Sequence, residues 1–139
     1  MRLELITHTT DADVVIATAV LTTTSKLKPS TLFYRLKKDQ KRVNDILSRI
    51  EVQHGSILDH NRLCWILEAN DSEVLDIFLK HRFFSFTKID KSKWLLSANF
   101  RTAIRYIDKN KEDLFSKALI DTIPNNLSMI LYKIRGRIF

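Results

Sequence analysis

The chain has 139 residues, 45% of them apolar, which is enough for one hydrophobic core. Its single cysteine, Cys64, excludes an internal disulfide and a cysteine zinc site; with no signal-peptide pattern and no apolar membrane span, we expect a cytoplasmic protein. A net charge of +7 favours anionic partners, and only two glycines exclude glycine-rich phosphate loops, so Arg, Lys, His and hydroxyl side chains would have to hold any phosphate.

The first part of the chain predicts one strand followed by helices. Apolar and polar residues alternate over 2–7, which indicates a strand. Thr10 is the predicted N-cap of the next helix, because acidic residues would then lie in its first turn. Pro29 interrupts the chain, and apolar residues at helical spacing predict one helix over 30–52. The basic run at 26–42 is most simply the solvated face of that helix.

The second part predicts strands and helices of similar weight, without a linker or a repeat. In order, we predict a helix start at 54–60 with Ser56 as cap, a strand at 61–70, a helix capped by Asp71 or Ser72, a strand at 82–89, a helix from near Ser97, and two helices at 111–123 and beyond Pro124. This pattern favours a single α+β domain over residues 1–139, with an antiparallel or mixed sheet flanked by helices.

Three short segments carry candidate chemistry. "HGSILDH" at 54–60 holds two histidines, a hydroxyl and an acid, but its spacing matches no zinc pattern, so we predict no metal site. "KHR" at 80–82 is a run of three nitrogen-bearing side chains, with Ser85 just beyond it. "ANFRTAIRY" at 98–106 places Asn99 and Arg101 at a predicted helix start, from which a group can approach an anion.

Three phenylalanines follow the triplet, at positions 83, 84 and 86. Aromatic residues that alternate on a strand are usually core or interface residues. We therefore expect these rings to pack inside the protein or against a partner, rather than to form a platform for a ligand ring.

The type and order of the three segments resemble the flavin-dependent thymidylate synthase family. That family shows an H-x-[ST]-x-x-[ED]-H segment, then an R-H-R-x7-S-x-R-Y signature, then an N-L-R segment that opens a helix. They correspond here to "HGSILDH", "KHRFFSFTKIDKSK" and "NFRTAIRY". Including the opening strand and helix, the resemblance covers roughly residues 1–108, and its motifs are moderately specific singly.

The resemblance implies an α+β fold and a homotetramer with active sites between subunits. It also implies FAD as the hydride carrier, with dUMP accepting a methylene group from a reduced folate to give dTMP. The flavin-binding positions would be His54, Ser56, Lys80, His81, Arg82, Asn99 and Arg101. The nucleotide side would fall on Ser85 and Asp90, and no side chain would act as a nucleophile.

The chain departs from the family at the nucleotide side of the signature. Asp90 stands where the family has its serine, and Ser92 and Lys93 replace the Arg-Tyr pair. A carboxylate would repel the dUMP phosphate, and the lost arginine removes a charge-assisted contact. The implied function is therefore a thymidylate-synthase-like flavoprotein with a largely lost dUMP signature. The alternatives are a non-catalytic homologue that keeps the fold and the oligomer, or a basic nucleic-acid-binding module using 35–42 and the tail at 132–139.

Overall fold

The computed structural model describes residues 1–50 and 55–132, which form an α+β structure with a four-stranded antiparallel sheet. The chain divides into two compact units, the first made of Met1–His8 and Arg62–Ile123, the second of Thr9–Asn61 and Pro124–Phe139. The predicted α+β class is confirmed, and the sheet is antiparallel rather than mixed. The assignment of one domain to the whole chain stays a prediction.

The helices and strands follow one another without a regular alternation. In chain order they are β1 (Arg2–His8), α1 (Ala12–Thr22), α2 (Pro29–Lys37), α3 (Gln40–Ser48), a 3₁₀ helix (Gly55–His60), β2 (Arg62–Glu68), α4 (Asp71–Lys80), β3 (Ser85–Asp90), β4 (Lys93–Asn99), α5 (Phe100–Lys109), α6 (Leu114–Thr122) and a second 3₁₀ helix (Asn125–Leu127). None of these described helices is long and apolar enough to cross a bilayer.

The first unit combines a sheet of strand order β1-β2-β4-β3 with the helices α4, α5 and α6. The side chains of β2 alternate, so that Leu63, Trp65 and Leu67 are buried while the residues between them are only partly covered. Trp65 lies opposite Leu96 in the sheet, and its indole N–H donates to Thr122 Oγ1 of α6 at 2.9 Å. The buried face of the sheet is therefore the one that carries the helices.

An aromatic cluster fills the space between the sheet and these helices. The rings of Phe84, Tyr106 and Phe115 pack edge to face, with centroids 5.1 to 5.7 Å apart. Phe84 is buried, as expected, and Phe86 is partly covered. Phe83 is 60% exposed, so it is not a core residue, and its packing against a partner stays a prediction.

Both helices that frame the basic triplet begin with an asparagine cap. Asn70 and Glu73 form a reciprocal capping box at the start of α4, so the predicted cap at Asp71 or Ser72 is wrong by one or two positions. Asn99 caps α5, which begins at Phe100. The predicted helix from Ser97 therefore starts too early, because β4 continues through Asn99 and pairs with both of its neighbours.

The second unit is helical, and it differs from the predicted helix boundaries at three positions. The N-cap of α1 is Asp11, in the left-handed region at φ 53°, rather than Thr10. The single helix predicted over 30–52 is two helices, because the Asp39 side chain accepts from Arg42 N–H at 3.1 Å and caps a new start at Gln40. Ser56 lies inside a 3₁₀ helix rather than capping a helix.

A buried carboxylate holds the second unit together. Asp13 on α1 is 6% exposed, and it accepts from the Gln40 amide at 3.0 Å and from the Asn126 amide at 3.4 Å. These bonds connect α1 to α3 and to the second 3₁₀ helix. A charge this well covered needs such partners, so Asp13 is an architectural residue.

Candidate functional site: a basic cluster at the end of α4

The basic triplet lies where α4 ends and the chain turns toward β3. The helix stops at Lys80, and His81 has extended backbone angles while its N–H still donates to Ile77 O at 2.9 Å. The N–H of Phe83 donates to His81 Nδ1 at 3.4 Å. Since Nδ1 accepts this bond, the neutral imidazole carries its proton on Nε2, where it is a donor to a ligand.

His81 lies close to basic side chains of α5. Partial burial lowers its pKa below the usual value, and the positive charges of Lys109 and Arg105 lower the pKa further. Arg101, Arg105 and Lys109 follow one another at intervals of four residues, so they share one face of α5. This helix face therefore supplies positive charge beside the triplet.

The exposed ring of Phe83 contacts both Arg82 and His81. The Arg82 guanidinium lies 5.1 Å from the centre of the Phe83 ring, and the His81 and Phe83 rings meet edge to face at 5.5 Å. We call His81, Arg82, Phe83, Arg105 and Lys109 the basic cluster. It combines three permanent positive charges, a neutral imidazole and a ring that is open to solvent.

Lys80 has a different environment from the other two members of the triplet. Its ammonium lies 2.9 Å from Asp76 Oδ2 and 3.4 Å from Asp113 Oδ2, and the bond to Asp76 is the main cause of its raised pKa. The buried Tyr106 hydroxyl donates a short hydrogen bond to the same Asp113 oxygen. Burial, and then Asp113, raise the pKa of Tyr106 far above its usual value, so it stays protonated. Lys80 thus joins α4 to the start of α6.

The other predicted residues of the first unit lie on two different elements. Asn99 Oδ1 accepts from Thr102 N–H at 2.8 Å, and Arg101 is partly buried in the first turn of α5, as predicted for a helix start. Ser85 is exposed on β3 and pairs with Ser97. Asp90 is exposed at the end of β3, where its carboxylate accepts from Lys91 N–H at 2.7 Å.

The remaining predicted flavin residues belong to the second unit. Ser56 and His60, together with Ile57, line one side of an open cavity of about 430 Å³; the other side is formed by the second half of α1 and Pro29. His54 lies outside the described residues. The structure thus brings His81 and Arg82 together with α5, and places Ser56 in a cavity of its own unit.

Arg105 and Lys109 were not among the residues predicted for the site. Their signal is present in the sequence, since Arg101, Arg105 and Lys109 are spaced for one helix face. The spacing alone could not identify what that face meets, because His81 precedes Arg105 by 24 positions.

No protein-family model matches the chain, and no curated protein matches its sequence. The relationship to flavin-dependent thymidylate synthases therefore rests on the three sequence segments and stays an expectation.

Proposed function

We propose that the chain is a diverged member of the flavin-dependent thymidylate synthase group that binds FAD at the basic cluster and has lost tight dUMP binding. The observation that carries the proposal is that the exposed Phe83 ring contacts both Arg82 and His81, while the positive charges of Lys109 and Arg105 on α5 act on His81. These groups offer separate partners for the two chemically different parts of FAD, an anionic pyrophosphate and a flat ring.

The donors of the basic cluster suit a pyrophosphate. Arg82 and Arg105 carry planar forks that can bind phosphate oxygens in pairs, and Lys109 adds a point charge. His81 can donate through Nε2 without being charged. The chain has no glycine-rich loop, so a side-chain site of this kind is the route left to it. FAD would supply the hydride chemistry, while these side chains bind and orient it.

The residues at the positions where the family binds dUMP support the loss of dUMP binding. The exposed Asp90 would face the phosphate with a negative charge, and Lys93 lacks the fork of the family's arginine. We therefore propose that dUMP binds no tighter than the millimolar range, about −4 kcal/mol. Tritium release from labelled dUMP should then be undetectable in the presence of FAD, a reduced folate and a reduced nicotinamide. Micromolar dUMP binding, measured by calorimetry, would contradict this proposal and favour an active thymidylate synthase.

FAD titration of the purified protein tests the cofactor assignment. Arg82→Ala should weaken FAD binding by about 1.5–3 kcal/mol, the scale of a charge-assisted contact, which is about 10- to 150-fold in Kd. Arg105→Ala should have a similar effect. The matched control is Arg35→Ala, which removes an exposed arginine from α2 in the second unit and should leave the Kd unchanged.

Two results would oppose the cofactor proposal. One is a colourless protein that FAD cannot reconstitute at any pH from 6 to 8. The other is an FAD affinity that Arg82→Ala and Arg105→Ala leave at the wild-type value. Either result would favour a non-catalytic homologue that binds no flavin, or a nucleic-acid-binding module.

We further propose that the protein assembles as a homo-oligomer, for which the resemblance favours a tetramer. Exposed apolar side chains on α4 support an assembly of some kind, because Leu75, Phe78 and Leu79 are 47 to 74% exposed in the single chain. Light scattering at micromolar concentrations tests this, and a monomer throughout would contradict it.

A further inference from the structure

The face of the sheet that points away from α4, α5 and α6 has a regular pattern. On β2 this second face carries the alternate positions Cys64, Ile66 and Glu68, which are only partly covered. Most other side chains of this face are polar or charged, as on the solvent-facing side of many antiparallel sheets, so a partner has to be inferred from how its residues are arranged.

A row of four charges crosses one end of this second face. The strand register places Arg2 opposite Glu68, Glu68 opposite Lys93, and Lys93 opposite Asp90. The signs along β1, β2, β4 and β3 are therefore plus, minus, plus and minus. Each neighbouring pair is favourable inside the sheet.

A second row is apolar at its centre; it lies two residues further along β1, β2 and β4, and three further along β3, where the register shifts between Lys88 and Asp90. Glu4, Ile66, Leu95 and Thr87 lie side by side in the register. The two central strands thus present Ile66 and Leu95, while the edge strands present polar side chains. The apolar pair lies at the centre of its row, so that row looks the same from either end. The charge row reads plus, minus, plus, minus from one end and minus, plus, minus, plus from the other.

We propose that this second face is the contact surface for a second copy of the same chain. A two-fold axis that runs parallel to the strands, between β2 and β4, turns each row end for end. It places Ile66 against Leu95 of the second copy and Glu68 against Lys93 of the second copy. Arg2 then meets Asp90 of the second copy, so every charge of the row faces an opposite charge.

The charge pattern argues for a second copy rather than an unrelated protein. The alternation pairs opposite charges inside each sheet, and it also makes the row complementary to its own reversal, so a second copy meets an opposite charge at every position. Two such sheets pack face to face with their strands nearly aligned, as in β-sandwiches. Four strands about 4.8 Å apart and roughly 24 Å long give a footprint of about 460 Å² on each copy, the size of weak, transient interfaces. We therefore expect a dimer that dissociates on dilution.

Inverting the whole row provides the sharpest test. The variant Arg2→Glu, Glu68→Lys, Asp90→Lys, Lys93→Glu keeps alternating signs within each sheet, so the first unit should still fold. Its own copies remain complementary and should dimerise. In a mixture with the wild type every cross-pair would join like charges. Native mass spectrometry of ¹⁵N-labelled wild type with the unlabelled variant should therefore show both pure dimers and a mixed dimer depleted at least tenfold from its statistical share.

Two single variants separate this interface from other surfaces. Ile66→Asp should convert the dimer to a monomer with an unchanged circular dichroism spectrum; should it fail to fold, the inverted variant still decides. Leu79→Asp changes an exposed apolar residue on α4, on the other side of the sheet, and should leave this dimer intact. A wild type that is monomeric at 100 µM would overturn the proposal. Statistical mixing of wild type and variant, or a folded but monomeric inverted variant, would overturn it too.

The interface deepens the homo-oligomer proposed above and does not depend on FAD. Its residues are distinct from those of the basic cluster, so an FAD titration of each variant reports the two proposals separately. Loss of the dimer with unchanged flavin absorbance would affect the interface alone, and a colourless dimer would affect the flavin site alone.

Discussion

At the scale of single residues, His81 and Lys80 are neighbours in sequence with different roles in the structure. Lys80 is held by Asp76 and Asp113, within the framework that positions α4 and α6. His81 lies among cations and has a pKa below the usual value. Adjacent basic residues need not form one functional patch, because the end of a helix sends successive side chains in different directions.

The lowered pKa of His81 predicts a loss of stability in mild acid. The unfolded chain takes up this proton near pH 6.5, whereas the folded chain does so only at lower pH, mainly because of burial and then because of Lys109 and Arg105. This contribution to stability is fully present above pH 6.5 and is lost as the pH falls through the folded pKa. Urea unfolding at pH 7.5 and 5.5 should show a smaller decrease for His81→Gln than for the wild type.

Inorganic phosphate provides the control for this pH effect. A phosphate bound at the basic cluster favours the charged imidazole and should raise the pKa of His81. Phosphate should therefore reduce the acid sensitivity of the wild type and have little effect on His81→Gln. Equal slopes in both proteins, with and without phosphate, would place the acid-sensitive group elsewhere.

Tyr106→Phe should destabilise the first unit without affecting the ligand site. The change removes one hydroxyl from a fully buried ring and leaves the Asp113 carboxylate without that donor. Hydrogen bonds to charged groups contribute about 1.5–3 kcal/mol, so a fall of this size in the free energy of unfolding is expected. FAD affinity should stay at the wild-type value, as it should for Lys80→Met. A tenfold loss of FAD affinity in either variant would give this framework a direct part in binding.

At the scale of elements, the start of α5 combines a structural role with a proposed ligand-binding role. Asn99 caps the helix, and Arg101 follows in its first turn. The cap satisfies one N–H of the first turn, and the other N–H groups of that turn have no partner within the helix. Asn99 can therefore both cap the helix and contact FAD, as the family resemblance implies. Substitutions at this position can distinguish the two roles.

Asn99→Ala should cost about 1 kcal/mol of stability, the typical value for a lost N-cap. Asn99→Asp keeps an acceptor for the Thr102 N–H and should retain the wild-type melting temperature, because an acid is also favourable at a helix start. If FAD phosphates lie near this position, the added negative charge of Asn99→Asp should weaken FAD binding several-fold. Unchanged FAD affinity in both variants would make Asn99 a cap and nothing more.

At the scale of the whole molecule, the charge of +7 favours any polyanion, so it does not by itself distinguish FAD from nucleic acid. Nonspecific binding to duplex DNA depends on the release of counterions and weakens steeply with salt. We expect DNA binding, followed by fluorescence anisotropy, to fall at least 100-fold between 50 and 200 mM NaCl. Tight binding that persists at 200 mM, and that depends on base sequence, would favour the nucleic-acid alternative over the flavin site.

The amino-acid sequence alone determined the class of the fold and most of its elements. Period-two alternation predicted β1 and β2, and polar residues at the starts of α4 and α5 predicted two helices, because these signals depend on neighbours a few residues apart. The same local reasoning missed the break at Asp39 and extended α5 back into β4. A strand between two partners is stabilised by hydrogen bonds to segments distant in sequence, which local patterns do not record.

For the candidate site, the sequence pointed to the basic triplet and the residues at the start of α5, and the family resemblance predicted an altered dUMP-binding segment. The tertiary structure decided which of these residues lie near one another. It turned Lys80 toward Asp113, set His81 against Arg105 and Lys109, and aligned four charges across the sheet. Spatial neighbours of this kind are set by strand register and by how helices pack on the sheet, and both result from burying apolar surface over the whole unit.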